Sequence, residues 1–188
     1  MEIFLKLIDR LIQLVRARSL HRKQLFNEIV QPIYEDLEPI AKDYFELFHF
    51  VISRLESESS TREELADLTK ERSLQFVALR RKLQEAAQVV AGRIEDERIV
   101  EFANAVTSFF FPSGFYVNAS PYHFTQQIFS DKGFEFYQVP GPQPFDPHPK
   151  MPVSQFIAAK QELDERWRTI SRLYYEIRID YAANAETA

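Results

Sequence analysis

The stretch LEPIAKDYFELFHFVISRL, which runs from Leu37 to Leu55, indicates the fold class of this chain. Its apolar residues recur at alternating steps of four and three, a spacing that lines up side chains along one face of an α-helix. A half-buried strand would instead alternate apolar and polar residues with a period of two. The stretch therefore predicts a long helix with one buried face, formed by Leu37, Ala41, Tyr44, Phe48, Val51 and Leu55.

Helical spacing continues on both sides of this stretch. Pro32 and Pro39 are each expected to kink or restart the helix, because proline lacks the backbone donor and crowds the preceding turn. The apolar positions around Pro32 are Phe26, Ile29, Val30 and Ile33. The last helix is predicted over residues 153–182, on a seam of Phe156, Leu163, Trp167, Ile170, Tyr174, Ile177 and Tyr181.

A further long helix is predicted between these two, from Arg62 to about Ser108. Its start is marked by Thr61 and Glu64, which have the spacing of a capping box. Gly92 is the position at which the run is expected to bend or split, because an interior glycine costs about 1 kcal/mol of helix stability.

Helix-breaking residues concentrate in one window, 109–152. It holds eight of the ten prolines, three of the four glycines and twelve aromatic residues, but only five charged side chains. Such a composition predicts an aromatic, proline-rich and largely irregular insertion. Its aromatic residues are expected to form a small core that caps the bundle, an exposed binding surface, or partly both. Its last part, from Val139 to Pro152, is interpreted as an extended strap that carries the chain back to the last helix.

Together these segments predict a mainly α fold, an elongated antiparallel bundle of three to four long helices with the insertion at 109–152. A length of 188 residues suits a single domain. Four segments are distinguished within it. They are a basic amphipathic N-terminal helix (1–25), a kinked helical hairpin (26–108), the insertion (109–152) and a C-terminal helix (153–182).

The composition argues against several classes of protein. The chain has no cysteine, so disulfides and thiolate metal sites are excluded. No run of eighteen apolar residues predicts a membrane-spanning helix, and the N-terminal stretch lacks the features of a signal peptide. The net charge of −5 argues against a general nucleic-acid binder. We expect a cytoplasmic location, with the inner membrane surface as an alternative.

One pair of residues suggests metal chemistry, and its context argues against it. Glu46 and His49 have the Glu-x-x-His spacing of di-iron helical bundles, which need two such pairs and further inward carboxylates. Both lie off the face that carries Leu37 and Phe48, so we expect a solvated surface. No cofactor, metal ligand or catalytic residue is predicted.

Charge is distributed unevenly along the chain. Residues 1–25 hold six basic and two acidic side chains, whereas residues 26–60 hold two basic and eight acidic ones. The basic segment is expected to dock on the acidic one, in the same chain or a second copy. Contact with an anionic membrane surface and, less favoured, with nucleic acid are the alternatives. Its predicted contact residues are Phe4, Lys6, Arg10, Arg16, Arg18, Arg22 and Lys23.

These patterns favour a non-enzymatic protein that binds another protein or itself, through the aromatic insertion and the helix seams. A homo-oligomer is expected. The predicted protein-binding residues are Phe110, Phe111, Phe115, Tyr116, Tyr122, Phe124 and Phe145. Two alternatives stay open. One is a peripheral membrane protein anchored by residues 1–25, and the other is a helical enzyme with a pocket where the insertion meets the bundle, using His123 and His148.

Overall fold

The computed structural model describes residues 22–57, 60–110 and 153–183. Every regular element within these ranges is a helix, and no strand occurs in them. The elements are α1 (Arg22–Leu25), a π-helical segment (Phe26–Val30), α2 (Gln31–Glu56), α3 (Arg62–Gln75), α4 (Val77–Arg93), α5 (Glu97–Phe110) and α6 (Val153–Ala183). The prediction of a mainly α fold is confirmed.

The two prolines of α2 leave the chain helical. The Gln31 N–H donates to the Phe26 carbonyl five residues back, which is the wider π-helical pattern. Pro32 follows in the first turn of α2, where its missing donor is tolerated. Pro39 lies inside α2. At Pro32 the expected disturbance takes the form of a π-helical segment just ahead of it, whereas the expected restart of the helix at Pro39 does not occur.

Helices α2 and α6 pack side by side and run in opposite directions. Tyr34 contacts Tyr174, whereas Phe48, further along α2, contacts Phe156, near the start of α6. Helix α5 packs against α6 and α4, and α4 also contacts α2. Both predicted seams are confirmed, because each of their residues is buried except Leu55 and Trp167, which are partly buried against the core.

The predicted helix from Arg62 to about Ser108 is wrong in being continuous at Phe76, whereas the split expected near Gly92 occurs. The chain leaves the helical path at Phe76 and again over residues 94–96, and it forms three helices instead of one. The second break follows Gly92 by two residues, and Gly92 itself is an exposed residue of α4. Asp96 sets this break, because its carboxylate accepts the backbone N–H of Arg98 (3.2 Å) and Ile99 (3.4 Å) at the start of α5.

The capping box that the sequence predicts at the start of α3 is present. The Glu64 N–H donates to the Thr61 hydroxyl at 3.3 Å, and the Thr61 N–H donates to the Glu64 carboxylate at 3.0 Å. Leu65 and Thr69 are its buried side chains. The remainder of this helix has no apolar face comparable to those of α2 and α6. Of the long helices, α3 is therefore the one that packs least against the core.

The predicted insertion begins two residues too early. Phe109 and Phe110 are the last residues of α5, and both are buried. The rings of Phe109 and Trp167 lie 6.0 Å apart, which places the end of α5 beside the middle of α6. The other positions of the predicted insertion, 111–152, lie outside the described residues.

Candidate interaction surfaces

Helix α6 carries apolar side chains on its outer face as well as its buried one. Ile157, Tyr175 and Ile179 are 39%, 50% and 67% exposed, respectively. At 100° per residue these three positions fall within about 40° of one another around the helix. They therefore form one stripe, which we call the α6 outer face, about a quarter turn or more away from the buried seam.

Charged residues of both signs lie along this stripe, between its apolar ends. Lys160 pairs with Asp164 at 3.6 Å, and Arg172 pairs with Glu176 at 3.0 Å. Arg168 is exposed between them. A surface that offers both signs can match a copy of itself, because residue i of one copy can meet an oppositely charged residue j of the other.

The aromatic packing beneath the stripe holds Tyr175 in place. Its ring lies 5.2 Å from that of Tyr174 and 6.4 Å from that of Tyr34, both in edge geometry. Tyr34 and Tyr174 stack at 3.9 Å, and the Tyr34 hydroxyl lies 3.3 Å from the Ser171 hydroxyl. An ordered side chain loses less conformational entropy on binding, so this backing favours contact at Tyr175.

A second surface follows the outer side of α2. Two cavities of about 630 and 590 Å³ lie along it and share Glu46 in their walls. We call them together the α2 groove. The first is lined by Glu38, Pro39, Ala41, Lys42, Phe45, Glu46 and Trp167. The second is lined by Glu46, His49, Phe50, Ser53, Arg54, Ser57 and Arg72. Trp167 thus forms the α6 side of the groove, and Arg72 forms its α3 side.

Ion pairs at the groove join α3 to α2. The Arg72 guanidinium lies 3.7 Å from the Asp43 carboxylate and 3.5 Å from that of Glu46. Arg54 lies over the Phe50 ring, 5.0 Å from its centroid, in a cation–π contact. Glu46 and His49 are both exposed, as their positions on the helix predict. Among the described residues, no three His, Cys, Asp or Glu side chains converge on a position that could hold a metal ion.

Perturbed pKa values mark the packing of the helices and lie outside the groove walls. Burial raises the pKa of Tyr44 to about 12, and the neighbouring Arg80 guanidinium acts in the opposite direction. Burial likewise raises the pKa of Tyr34 and of Tyr174. The pKa of Asp36 is raised by burial and by Glu35, against the opposing charge of Lys82. These shifts are therefore consequences of core formation.

Three of the predicted contact residues lie in the described part of the chain. Phe110 is buried, with its ring 5.9 Å from that of Phe109. Arg22 begins α1, and Lys23 is exposed beside it. The others lie outside the described residues: Phe4, Lys6, Arg10, Arg16, Arg18, Phe111, Phe115, Tyr116, Tyr122, Phe124 and Phe145.

The α6 outer face was missed by sequence reasoning, although a signal for it exists. Ile157 and Tyr175 each follow directly after a seam residue, Phe156 and Tyr174. A helical wheel of the predicted last helix places Ile157, Tyr175 and Ile179 on a second stripe, apart from the buried seam. The α2 groove has no such signal, because its walls come from three helices.

Comparison with protein-family models, curated proteins and solved structures found no match for this chain. Within the described ranges, none of the helices combines the length and the apolar character needed to cross a membrane.

Proposed function

We propose that this chain is a non-enzymatic helical protein that works by self-association, through the α6 outer face. The observation that carries the proposal is the alignment of Ile157, Tyr175 and Ile179 along one exposed face of a helix that buries a separate face. Large apolar side chains scattered singly over a surface are ordinary, but an aligned set with charged neighbours is typical of a contact surface.

A second copy of α6 fits this face in the antiparallel direction. A two-fold axis near Arg168 brings Ile157 to the second copy's Ile179, and Gln161 to its Tyr175. The same register places Asp164 at the level of the second copy's Arg172, with opposite charge. Apolar residues then meet at both ends of the contact, and the two copies use the same residues, as an isologous dimer requires.

Arg168 is the unfavourable element of this arrangement. The two-fold axis places it opposite its own copy, and like charges at close range repel. Its replacement by leucine should therefore strengthen association, while a change at either apolar end should weaken it. This pair of opposite effects is specific to the proposed register.

The size of the contact predicts a weak dimer. From Ile157 to Ile179 the helix rises about 33 Å, and a stripe about 10 Å wide gives roughly 330 Å² on each copy. Stable interfaces bury about 800 Å² on each partner. The aromatic, proline-rich residues 111–152 precede α6 directly in the sequence. They are proposed to supply further contact, on an elongated antiparallel bundle of three to four helices. The described helices alone support a concentration-dependent association.

Sedimentation equilibrium tests the proposal. The wild-type chain should show a mass that rises from monomer to dimer with concentration, and Ile179→Lys should shift that transition to at least tenfold higher concentration. Leu74→Lys is the matched control, because Leu74 is 69% exposed on α3, away from α6, and should leave the transition unchanged. A monomer at all concentrations, or equal effects of the two substitutions, would contradict the proposal.

A further inference from the structure

The first cavity of the α2 groove combines aromatic walls with carboxylates, and we call it the Trp167 cavity. Phe45 and Trp167 supply its aromatic walls, and Glu38 and Glu46 lie beside them. Lys42 is the one basic residue among its described lining residues. Its volume of about 630 Å³ falls within the range of small-molecule sites, about 300–1,000 Å³. The cavity therefore has the size of a ligand site, with carboxylates next to aromatic rings.

Packing against other aromatic rings holds the indole of Trp167 in place. Its ring stacks on that of Tyr34, with the centroids 5.4 Å apart and the planes 18° apart. Tyr34 in turn stacks on Tyr174 at 3.9 Å, and the ring of Phe109 lies 6.0 Å from the indole. Trp167 is nevertheless partly exposed where it borders the cavity. A ring that is already ordered loses little conformational entropy when a ligand contacts it.

The two carboxylates differ in how far the protein neutralises them. Glu46 lies 3.5 Å from the Arg72 guanidinium, so part of its charge is compensated. Glu38 is exposed two turns earlier on α2. Burial raises the pKa of Tyr34, and the charge of Glu38 adds to that rise. The field of Glu38 therefore reaches the ring on which Trp167 stacks.

This combination of groups favours one kind of cation. The faces of aromatic rings attract positive charge, and the neighbouring cavity shows such a contact between Arg54 and Phe50. A primary ammonium has three N–H donors, which aromatic walls would leave without hydrogen-bond acceptors. A quaternary ammonium that carries methyl groups has no N–H donor, and its methyl groups can pack against Phe45 and Trp167. It matches both the walls and the charge of the cavity.

We propose that the Trp167 cavity binds a small molecule with a methylated quaternary ammonium group of the choline type. The group lies against the rings of Trp167 and Phe45, and Glu38 supplies the opposite charge. This function goes beyond self-association, because none of the residues that line the cavity belongs to the α6 outer face. The two proposals can therefore fail separately.

Trp167 is the only tryptophan of the chain, so its indole N–H gives a single nuclear magnetic resonance signal. Choline, added at constant ionic strength, should shift this signal until the site is saturated. Two analogues separate the contributions of charge and shape. Ethanolamine carries charge without methyl groups, and 3,3-dimethyl-1-butanol has the shape of choline without its charge. Each should bind at least fivefold more weakly than choline. No saturable shift with choline, or equal affinity for either analogue, would overturn the proposal.

Glu38→Gln tests the contribution of the carboxylate. It should weaken choline binding at least threefold and leave the binding of 3,3-dimethyl-1-butanol unchanged, because only the cation is attracted by the lost charge. Glu101→Gln is the matched control, since Glu101 is also exposed but lies on α5, outside the cavity walls. If the two variants weakened choline binding equally, the effect would reflect net charge alone and the site would be wrongly placed.

Phe45 offers a test of the aromatic wall. Phe45→Leu keeps an apolar side chain but removes the ring, so choline affinity should fall at least threefold. Phe45→Tyr keeps the ring, and its affinity should stay within twofold of the wild type. Circular dichroism checks that both variants are folded, and Glu38→Gln decides the matter if Phe45→Leu is not. Unchanged affinity in a folded Phe45→Leu, or equal losses in both variants, would contradict the cation–π contact.

Phosphatidylcholine vesicles distinguish a free ligand from a lipid headgroup. In this lipid a phosphate lies next to the quaternary ammonium, and the carboxylates of Glu38 and Glu46 would repel it. At equal concentrations of the ammonium group, free choline should therefore shift the Trp167 signal and vesicles should not. A response to vesicles but not to free choline would overturn the proposal, because the site would then belong to a membrane contact.

Discussion

The hydroxyl of Tyr44 is a buried polar group that has the Arg80 guanidinium as a neighbour. Its side chain is fully buried, its ring stacks on Phe109 at 5.8 Å, and burial raises its pKa to about 12. The neutral phenol is therefore favoured in the folded state, whereas an unfolded chain ionises this group near pH 10. Folding stability from this difference is complete below pH 10 and is lost as the pH rises towards 12.

Replacement of Tyr44 by phenylalanine should reduce the pH dependence of stability. Between pH 8 and pH 11, the wild-type free energy of unfolding should fall by about 1.4 kcal/mol more than that of Tyr44→Phe, since each pKa unit corresponds to about 1.4 kcal/mol. Urea unfolding followed by circular dichroism at the two pH values measures this difference. Tyr175→Phe, at an exposed position, serves as the control. Parallel pH dependence in wild type and Tyr44→Phe would contradict the account.

Asp96 has two roles, as the cap of α5 and as a hydrogen-bond acceptor for Tyr181, and only the first can be read from the local sequence. Its carboxylate caps α5, and its other oxygen accepts a hydrogen bond from the Tyr181 hydroxyl near the end of α6. An aspartate before an apolar helical run is a recognisable start signal, so the cap could have been predicted from the sequence. The contact with Tyr181 could not, because 85 residues separate the two positions.

Asp96→Ala should lower the free energy of unfolding by about 2 kcal/mol, with contributions of about 1 kcal/mol each from the lost cap and the lost hydrogen bond. Asp96→Asn should cost less than half as much, because asparagine also caps helices. Chemical denaturation of both variants and of Tyr181→Phe, in a double-mutant cycle, measures the coupling. A change below about 0.5 kcal/mol for Asp96→Ala would show that the break at residues 94–96 is set elsewhere.

At the scale of whole elements, the sequence predicts α2 and α6 well because each has an uninterrupted apolar seam. Helices α3 and α4 were merged in the prediction, because nothing between Thr61 and Gly92 has the composition of a loop. The break at Phe76 has a non-helical backbone (φ −111°, ψ 11°), and the Arg80 guanidinium donates to the Ser73 carbonyl near the end of α3. A side chain seven residues away thus satisfies a free helix-end carbonyl, which no local signal indicates.

Helix α3 should exchange its amide hydrogens faster than any of α2, α4, α5 and α6. Its core contacts include the buried Leu65 and Thr69 and the partly buried Ala66, and Arg72 forms ion pairs with α2, so a local opening exposes little apolar area. Hydrogen exchange with mass spectrometry should show protection in α3 at least tenfold below that of α2. Equal protection would mean that α3 unfolds together with the core.

Arg72→Met offers a sharper test of the same element. It removes the pairs with Asp43 and Glu46 while it keeps a long apolar side chain, so exchange should rise in α3 and stay unchanged in α5. Arg81→Met, which removes an exposed pair with Glu85 within α4, is the control. A uniform rise in amide hydrogen exchange along the chain after Arg72→Met would indicate a loss of global stability instead of a local opening of α3.

For the molecule as a whole, the sequence predicts the helical class but leaves the surfaces unassigned. Periodicity identifies which residue of a helix points inward, and that information suffices for the seams at Tyr44 and Tyr174. It does not say which helices become neighbours. The α2 groove depends on tertiary packing, because Trp167 and Phe45 line the same cavity and Arg72 pairs with Glu46. The uneven charge of residues 1–60 was visible in the sequence, but its place in the fold was not.

The proposed contact between copies contains one residue, Arg168, that opposes it. The α6 outer face is the surface proposed to join two copies. Arg168→Leu should move the monomer–dimer transition to lower concentration, because it removes the repulsion at the two-fold axis and leaves the groove unchanged. Sedimentation velocity over a concentration series measures this shift. A transition that moves to higher concentration would exclude the proposed register.

Cysteine cross-linking on this cysteine-free chain tests whether two copies meet at the α6 outer face. Arg168→Cys lies on the proposed two-fold axis, so the two copies' thiols should meet and form a covalent dimer on mild oxidation. Leu74→Cys is similarly exposed on α3 and controls for random collision. The disulfide should form at least tenfold faster at residue 168 than at residue 74. Ile179→Lys should abolish the cross-link at residue 168. Equal rates at the two sites, or no effect of Ile179→Lys, would contradict it.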